Sequence, residues 1–148
     1  MLISSFTHGI DAKGRVFLPA KWRGDLGETV YLTHGFLGNE DTRCLFGMSK
    51  EKWEIFSERV GEVSEFKLLS QQMLRMLFMN ACECELDKQG RILLPAQQRE
   101  YLHIDKEAVL VGVYKRFEVW EPNMLRTHTA QAKSDYSAAL IELVDSNI

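Results

Sequence analysis

Asp11-Ala12-Lys13-Gly14-Arg15-Val16-Phe17-Leu18-Pro19-Ala20-Lys21-Trp22-Arg23 is answered 76 residues later by Asp87-Lys88-Gln89-Gly90-Arg91-Ile92-Leu93-Leu94-Pro95-Ala96-Gln97-Gln98-Arg99. Seven of the thirteen positions are identical, and Val16/Ile92 and Phe17/Leu93 are conservative pairs. Ordinary composition gives roughly one identity in such a window. The chain of 148 residues therefore reads as a tandem duplication.

Each copy has a local grammar. Asp hydrogen-bonds its own backbone two residues on and opens a turn. Gly supplies a positive φ without steric cost. Apolar residues follow, and then a proline suited to the first turn of a helix, where a missing N–H costs nothing. The unit is predicted to be strand, tight turn, strand, short helix. Arg15 and Arg91 follow the turn glycine and are expected at or near a hairpin tip, solvated and open to a partner.

Halves of about 75 residues have only a marginal core alone, so the two repeats are expected to share one core or pair closely. Hydrophobic content of 45% and charged content of 26% suit a soluble globular chain. No apolar run approaches the roughly 20 residues of a membrane span. Met1-Leu2-Ile3-Ser4-Ser5-Phe6 lacks the basic and apolar regions of a signal peptide, so the expected location is cytoplasmic, with no membrane partner. Cys44, Cys82 and Cys84 are odd in number and lack disulfide-framework spacing. Cys82 and Cys84 share one face of a predicted strand and read as small buried thiols rather than a metal site, which needs more ligands. No metal or cofactor is expected.

The net charge of −3 discourages a nucleic-acid partner, but its distribution does not. The first motif carries +3 and the second +2, which leaves −8 on the other 122 residues. A basic face on an acidic body still steers toward phosphate.

Along the chain, alternation at Phe6, His8 and Ile10 predicts a strand before the first turn. A short helix from Pro19 to about Leu26 ends near Gly27. Strands are predicted at Thr29–Thr33 and Arg43–Met48, with a loop from Gly35 to Thr42. Ser49 is a plausible N-cap, with Glu51 in the first turn and Trp53, Phe56 and Val60 on one helical face. After Gly61, Ser64 caps a second helix whose stripe is Phe66, Leu69, Met73, Met76, Leu77 and Asn80, read as core. The second repeat opens with Cys82, Cys84 and Leu86. It continues through a helix after Pro95 to Leu102, then strands Val109–Val113 and Phe117–Trp120. Pro122 breaks the last strand. A closing helix spans Met124–Val144 with Leu125, Ala132, Tyr136, Ala139, Leu140 and Leu143 on one side, and the final residues fray. The expected units are 1–48 and 81–122 for the repeats, 49–80 for a connecting helical hairpin and 123–148 for the C-terminal helix.

These residues resemble the MraZ family of bacterial transcriptional regulators, built from two SpoVT/AbrB-like DNA-binding units. The resemblance runs over nearly the whole chain. It rests on the doubled Gly-Arg motif, Cys44-Leu45, Trp53, Arg99-Glu100-Tyr101, Val109-Leu110-Val111-Gly112-Val113 and Arg116-Phe117-Glu118-Val119-Trp120. It implies an α+β, mainly β, fold: a tandem-duplicated swapped-hairpin AbrB-like β-barrel, an intrachain version of the AbrB dimer. It also implies a homo-oligomeric ring of several subunits on the nucleoid. The ring would bind short repeated sites in double-stranded promoter DNA of the division and cell-wall gene cluster, its own promoter included. The family's DNA-contacting hairpin arginines fall on Arg15 and Arg91. Lys115 in place of a usual Asn, Ser49 in place of a common Pro, and Leu125 near a missing tryptophan depart from the family pattern without touching the Gly-Arg turns.

The chemistry agrees. A guanidinium donates bidentately to guanine O6 and N7. Lys13, Lys88, Lys21, Arg23 and Arg99 are candidates for phosphate contacts, which position without specifying. Lys21 has no basic counterpart, since Gln97 replaces it in the other copy, so its role is general electrostatics, and Trp22 either packs or stacks on a base. The alternative for Arg15 and Arg91 is an ion pair with Asp11 and Asp87 across the turn. For Arg23 and Arg99 it is local pairing at the helix end. An enzyme is disfavoured: there is no Gly-x-Ser-x-Gly, no P-loop and no His-Glu-x-x-His, and His8, His34, His103 and His128 share no site spacing. Glu83, Glu85 and Asp87 share a strand face that would suit Mg²⁺, but are expected to pair with the basic turn. A protein-interaction module without sequence-specific DNA binding is the other alternative.

Overall fold

A computed structural model describes residues 1–36, 41–63 and 66–146. Ser64, residues 37–40 of the expected Gly35–Thr42 loop, and the last two residues lie outside it.

In the first repeat, strands β1 (Ser5–Gly9) and β2 (Arg15–Phe17) flank the Asp11 turn. A 3-10 turn at Ala20–Trp22 runs into helix α1 (Arg23–Leu26), ended by Gly27 at φ +74°. Strands β3 (Thr29–His34) and β4 (Leu45–Ser49) follow, then helix α2 (Lys50–Gly61). Ser49 caps α2 as expected, its hydroxyl accepting from the Lys52 N–H at 3.1 Å. After helix α3 (Leu68–Met79), the second repeat gives β5 (Cys82–Glu85), β6 (Arg91–Leu93), helix α4 (Ala96–Leu102), β7 (Glu107–Val113) and β8 (Arg116–Trp120). Helix α5 (Pro122–Asp145) closes the chain, and Pro122, which stops β8, opens it.

The fold is α+β with antiparallel pairing throughout, and the repeats are interleaved. One sheet has the order β1-β7-β8-β4-β3-β5, and β2 pairs with β6 in a separate two-stranded ribbon. The first repeat's β1 therefore pairs with the second repeat's β7, and the second repeat's β5 with the first repeat's β3. The sheet is open, with β1 and β5 as its edges, so hydrogen bonding among the described residues does not close a barrel.

Period-two alternation sorts the strand residues between two layers. Val30, Leu32, Leu45, Ala108, Leu110, Phe117 and Val119 face one layer, together with Val16, Ile92, Leu18, Leu94 and Trp22 from the ribbon and its flanks. Phe46, Met48, Val109 and Trp120 face the other, against Trp53 and Phe56 of α2 and Met124 and Leu125 of α5.

The α3 stripe departs from expectation. Leu77 is buried, but Phe66, Leu69, Met73 and Met76 are exposed. The last turn of α3 is tied to the body, where the Leu77 carbonyl accepts from Thr33 Oγ1 at 2.9 Å and the Asn80 carbonyl from Gln98 Nε2 at 2.7 Å. Helix α5 behaves likewise. Its described residues are exposed from Lys133 onward, and Tyr136, Leu140 and Leu143 have no core to enter. No helix among the described residues is long and apolar enough to cross a membrane.

Candidate nucleic-acid interface

The two Asp-x-x-Gly-Arg turns are built alike. Asp11 Oδ1 accepts the backbone N–H of Lys13 at 3.0 Å and of Arg15 at 2.8 Å, and Oδ2 accepts Arg15 Nε at 2.6 Å. Asp87 Oδ1 accepts the N–H of Gln89 and of Arg91, each at 2.9 Å, and Oδ2 accepts Arg91 Nε at 2.8 Å. Gly14 and Gly90 take φ of +90° and +83°, which explains why glycine stands there. The backbone hydrogen bonds from Arg15 and Arg91, ahead of the guanidiniums themselves, hold both carboxyls below the ordinary carboxylate value.

Both ion pairs offered as the alternative reading are thus present, and each engages its guanidinium through Nε. The terminal Nη groups take no part in these two hydrogen bonds. Arg91 Nη1 also comes within 3.9 Å of Asp11 Oδ2.

The ribbon sets the two arginines side by side. In its register Arg15 opposes Leu93, Val16 opposes Ile92 and Phe17 opposes Arg91. Exchanging the repeats maps this set onto itself, so a local two-fold passes through the Val16–Ile92 pair. Val16 and Ile92 point into the core, fully buried. The opposite face carries Arg15, Phe17, Leu93 and Arg91, with the arginines on a diagonal of about 7–8 Å between Cα atoms. Phe17 and Leu93 are 41% and 54% exposed between them. Sequence reading treated these two only as strand residues. Their signal was position: each stands two residues from a turn arginine and next to a buried β-branched residue.

The turns lie at opposite ends of the ribbon, stitched across the repeats. Leu18 N–H donates to the Gly90 carbonyl at 3.0 Å, and Leu94 N–H to the Gly14 carbonyl at 2.8 Å. Arg23 Nη2 donates to the Leu18 carbonyl at 3.0 Å and Arg99 Nε to the Leu94 carbonyl at 3.1 Å. Each of these guanidiniums covers the turn glycine of the other repeat: Arg23 lies on Gly90, and Arg99 on Gly14. Arg23 and Arg99 therefore brace the turns. Lys13 and Lys88 are exposed near the turn tips and Lys21 is exposed on the 3-10 turn; among the described residues none of them is in an ion pair. Trp22 is core, its Nε1 donating to the Ile3 carbonyl at 3.1 Å. Of the three carboxylates expected on one strand, Glu83 and Glu85 lie on β5 and Asp87 in the turn beyond it; Asp87 pairs with Arg91, while Glu83 lies against Tyr31 and, behind burial, helps push that phenol up.

A family model described as "MraZ protein, putative antitoxin-like" matches residues 1–76 and again 77–146. Over 148 residues the chain is 39% identical to a protein of Desulfitobacterium hafniense named Transcriptional regulator MraZ, covering the whole of both chains. It is 42% identical over 123 residues to a protein of the same name from Caldicellulosiruptor bescii, covering 83% of this chain and 82% of that one. A third protein of that name, from Lactiplantibacillus plantarum, is 36% identical over 145 residues, covering 96% and 99%.

Proposed function

The chain belongs to the MraZ family, a family of transcriptional regulators and not of enzymes, and on that premise we propose that it reads short tandem sites in duplex promoter DNA through its two Gly-Arg turns. The observation that carries this reading is the outer face of the β2–β6 ribbon, where two Nε-anchored guanidiniums flank two exposed apolar side chains. A two-stranded ribbon fits the major groove. There the Nη groups of Arg15 and Arg91 address guanines, and Phe17 and Leu93 meet thymine methyls. Lys13, Lys88 and Lys21 contact phosphates, and Arg23 and Arg99 add charge from behind the turns.

One ribbon makes few contacts, so tight binding comes from several subunits on several repeats, through effective concentration. The exposed apolar faces of α3 and α5 support packing between subunits, and the chain acts as a homo-oligomeric ring. The interleaved strands support a swapped-hairpin AbrB-like unit within one chain, with 1–48 and 81–122 as its halves, 49–80 as the linking hairpin and 123–148 as a helical extension. The resemblance supports the target: the promoter of the division and cell-wall genes, its own included, in the cytoplasm at the nucleoid.

The test is binding of the purified protein to a tandem-repeat promoter fragment and to a scrambled one across a salt titration. Preference for the repeats, with affinity falling steeply as salt rises, is the expected result. Equal weak binding to both fragments would contradict sequence-specific reading. No binding at low salt would favour the protein-interaction alternative, to which the exposed α3 and α5 faces also lend themselves.

A further inference from the structure

Cys82 and Cys84 project from the same face of β5, and their sulfurs lie 3.9 Å apart. Cys84 is buried, and its one thiol proton has two acceptors in reach, the Leu93 carbonyl at 3.7 Å and the Cys82 sulfur at 3.9 Å. Cys82 is half-buried, and its sulfur accepts from Gln98 Nε2 at 3.9 Å. That nitrogen also donates to the Asn80 carbonyl, so Gln98 Oε1 faces His34 and accepts from its Nε2 at 3.1 Å. The amide is thereby fixed with its donor side toward Cys82.

The two neighbouring thiols differ in exposure and in partners. The hydrogen bond from Cys84, helped by Gln98 and against the effect of burial, brings Cys82 down to about 7. The same pairing and burial push Cys84 up. A partly accessible sulfur with thiolate character beside a protonated thiol is the arrangement of an attacking and a resolving cysteine. Cys44 is the internal contrast: it is fully buried, and burial pushes its thiol up.

Residues two apart on an antiparallel strand have Cα atoms about 6.8 Å apart. That is the upper limit of the range a disulfide spans, about 4.4–6.8 Å, so closure bends β5 to bring the two Cβ atoms together. We propose that Cys82 and Cys84 form a peroxide-reactive dithiol that closes to an intrachain disulfide. The Cys82 thiolate attacks one peroxide oxygen; the O–O bond breaks, leaving a sulfenic acid and hydroxide. The Cys84 sulfur then attacks the Cys82 sulfur. The S–S bond forms, the S–O bond breaks, and the departing hydroxyl leaves as water with the Cys84 proton. In sum, two thiols are oxidised and one hydroperoxide is reduced, to two waters when it is hydrogen peroxide. Closure draws Cys84 Sγ off the Leu93 carbonyl, next to the Leu94 N–H that is bonded to Gly14, so the site abuts the ribbon.

The test treats the full-length reduced protein with hydrogen peroxide and follows thiol number and peptide mass. Of the three thiols, two are expected to be lost and Cys44 to remain. The peptide holding Cys82 and Cys84 should lose about 2 Da, reversibly with dithiothreitol. Cys44→Ser should react as the parent does, and Cys82→Ser or Cys84→Ser should abolish the mass loss. Oxidation of Cys44 at the same rate, oxygen adducts without a bridge, or no thiol loss at a peroxide concentration that oxidises glutathione in the same tube would each overturn the proposal. The readout needs no DNA, so its failure is distinct from failure of the promoter-binding reading.

Discussion

Arg15 is held by one carboxylate, whereas Arg91 has its own at 2.8 Å and a second, Asp11, at 3.9 Å. The Arg91 side chain is 19% exposed against 33% for Arg15, and its guanidinium lies over the Phe17 ring, 5.7 Å from the centroid. Leu93, opposite Arg15, offers no ring. The first repeat instead carries the extra charge: each turn has one lysine, Lys13 or Lys88, but Lys21 stands where the second repeat has Gln97. Duplication preserved the backbone device, and divergence split its duties. The second repeat holds its guanidinium more firmly, and the first supplies more free positive charge.

The largest effects are expected at the turn glycines. A side chain at either position pays about 1–2 kcal/mol for left-handed backbone. Gly90→Ala also drives Arg23 from its place on the turn and from the Leu18 carbonyl, so it should destabilise more than Gly14→Ala, whose new Cβ would meet Arg99 Cζ at 2.9 Å. Urea unfolding measures both, and equal losses would erase the asymmetry of the bracing.

Phe17→Ala should cost more promoter affinity than Leu93→Ala, by about 0.5–1 kcal/mol, because it removes the ring under Arg91 as well as an apolar contact. Fluorescence anisotropy on one fragment compares them directly. If Leu93→Ala were the more damaging, the cation–ring contact would have no part in presenting Arg91.

The turn lysines predict a smaller, opposed pair. Lys13→Gln should lower the slope of log affinity against log salt by about one, and Gln89→Lys should raise it by about one. Unchanged slopes would remove Lys13 from the phosphate contacts.

The smallest effect concerns acid. Asp11 and Asp87 have folded-state values below the ordinary 3.8, so what they contribute is present above 3.8 and is lost as pH falls through the lower folded values. Carboxyl resonances should titrate below 3.8 in both turns, with the Arg15 and Arg91 amides shifting in step. A midpoint at or above 3.8 in one turn would show that its Asp is not the anchor.

What was legible in the sequence was local. The Asp, Gly and Pro spacing gave turn, strand and helix because each acts within a few residues, and Ser49 announced α2 by the same logic. Interleaving joins β1 to β7 and β5 to β3 across most of the chain, and no local period carries that; it entered only through the resemblance. Arg23 and Arg99 were read as phosphate contacts, with pairing at their own helix ends as the alternative. They do reach nearby carbonyls, but the glycines they cover belong to the other repeat. Phe17 and Leu93 sit in three-residue strands, too short for alternation to reveal an outward face. The stripes of α3 and α5 show which side is apolar and not what covers it, which is why a core expectation met an exposed surface.

The most direct measurement compares the parent with Arg15→Ala/Arg91→Ala on tandem-repeat and scrambled fragments, with circular dichroism and oligomer size recorded for both proteins. The account predicts that the double variant keeps its fold and assembly and loses its preference for the repeats. Full affinity and preference retained by the folded double variant would contradict it.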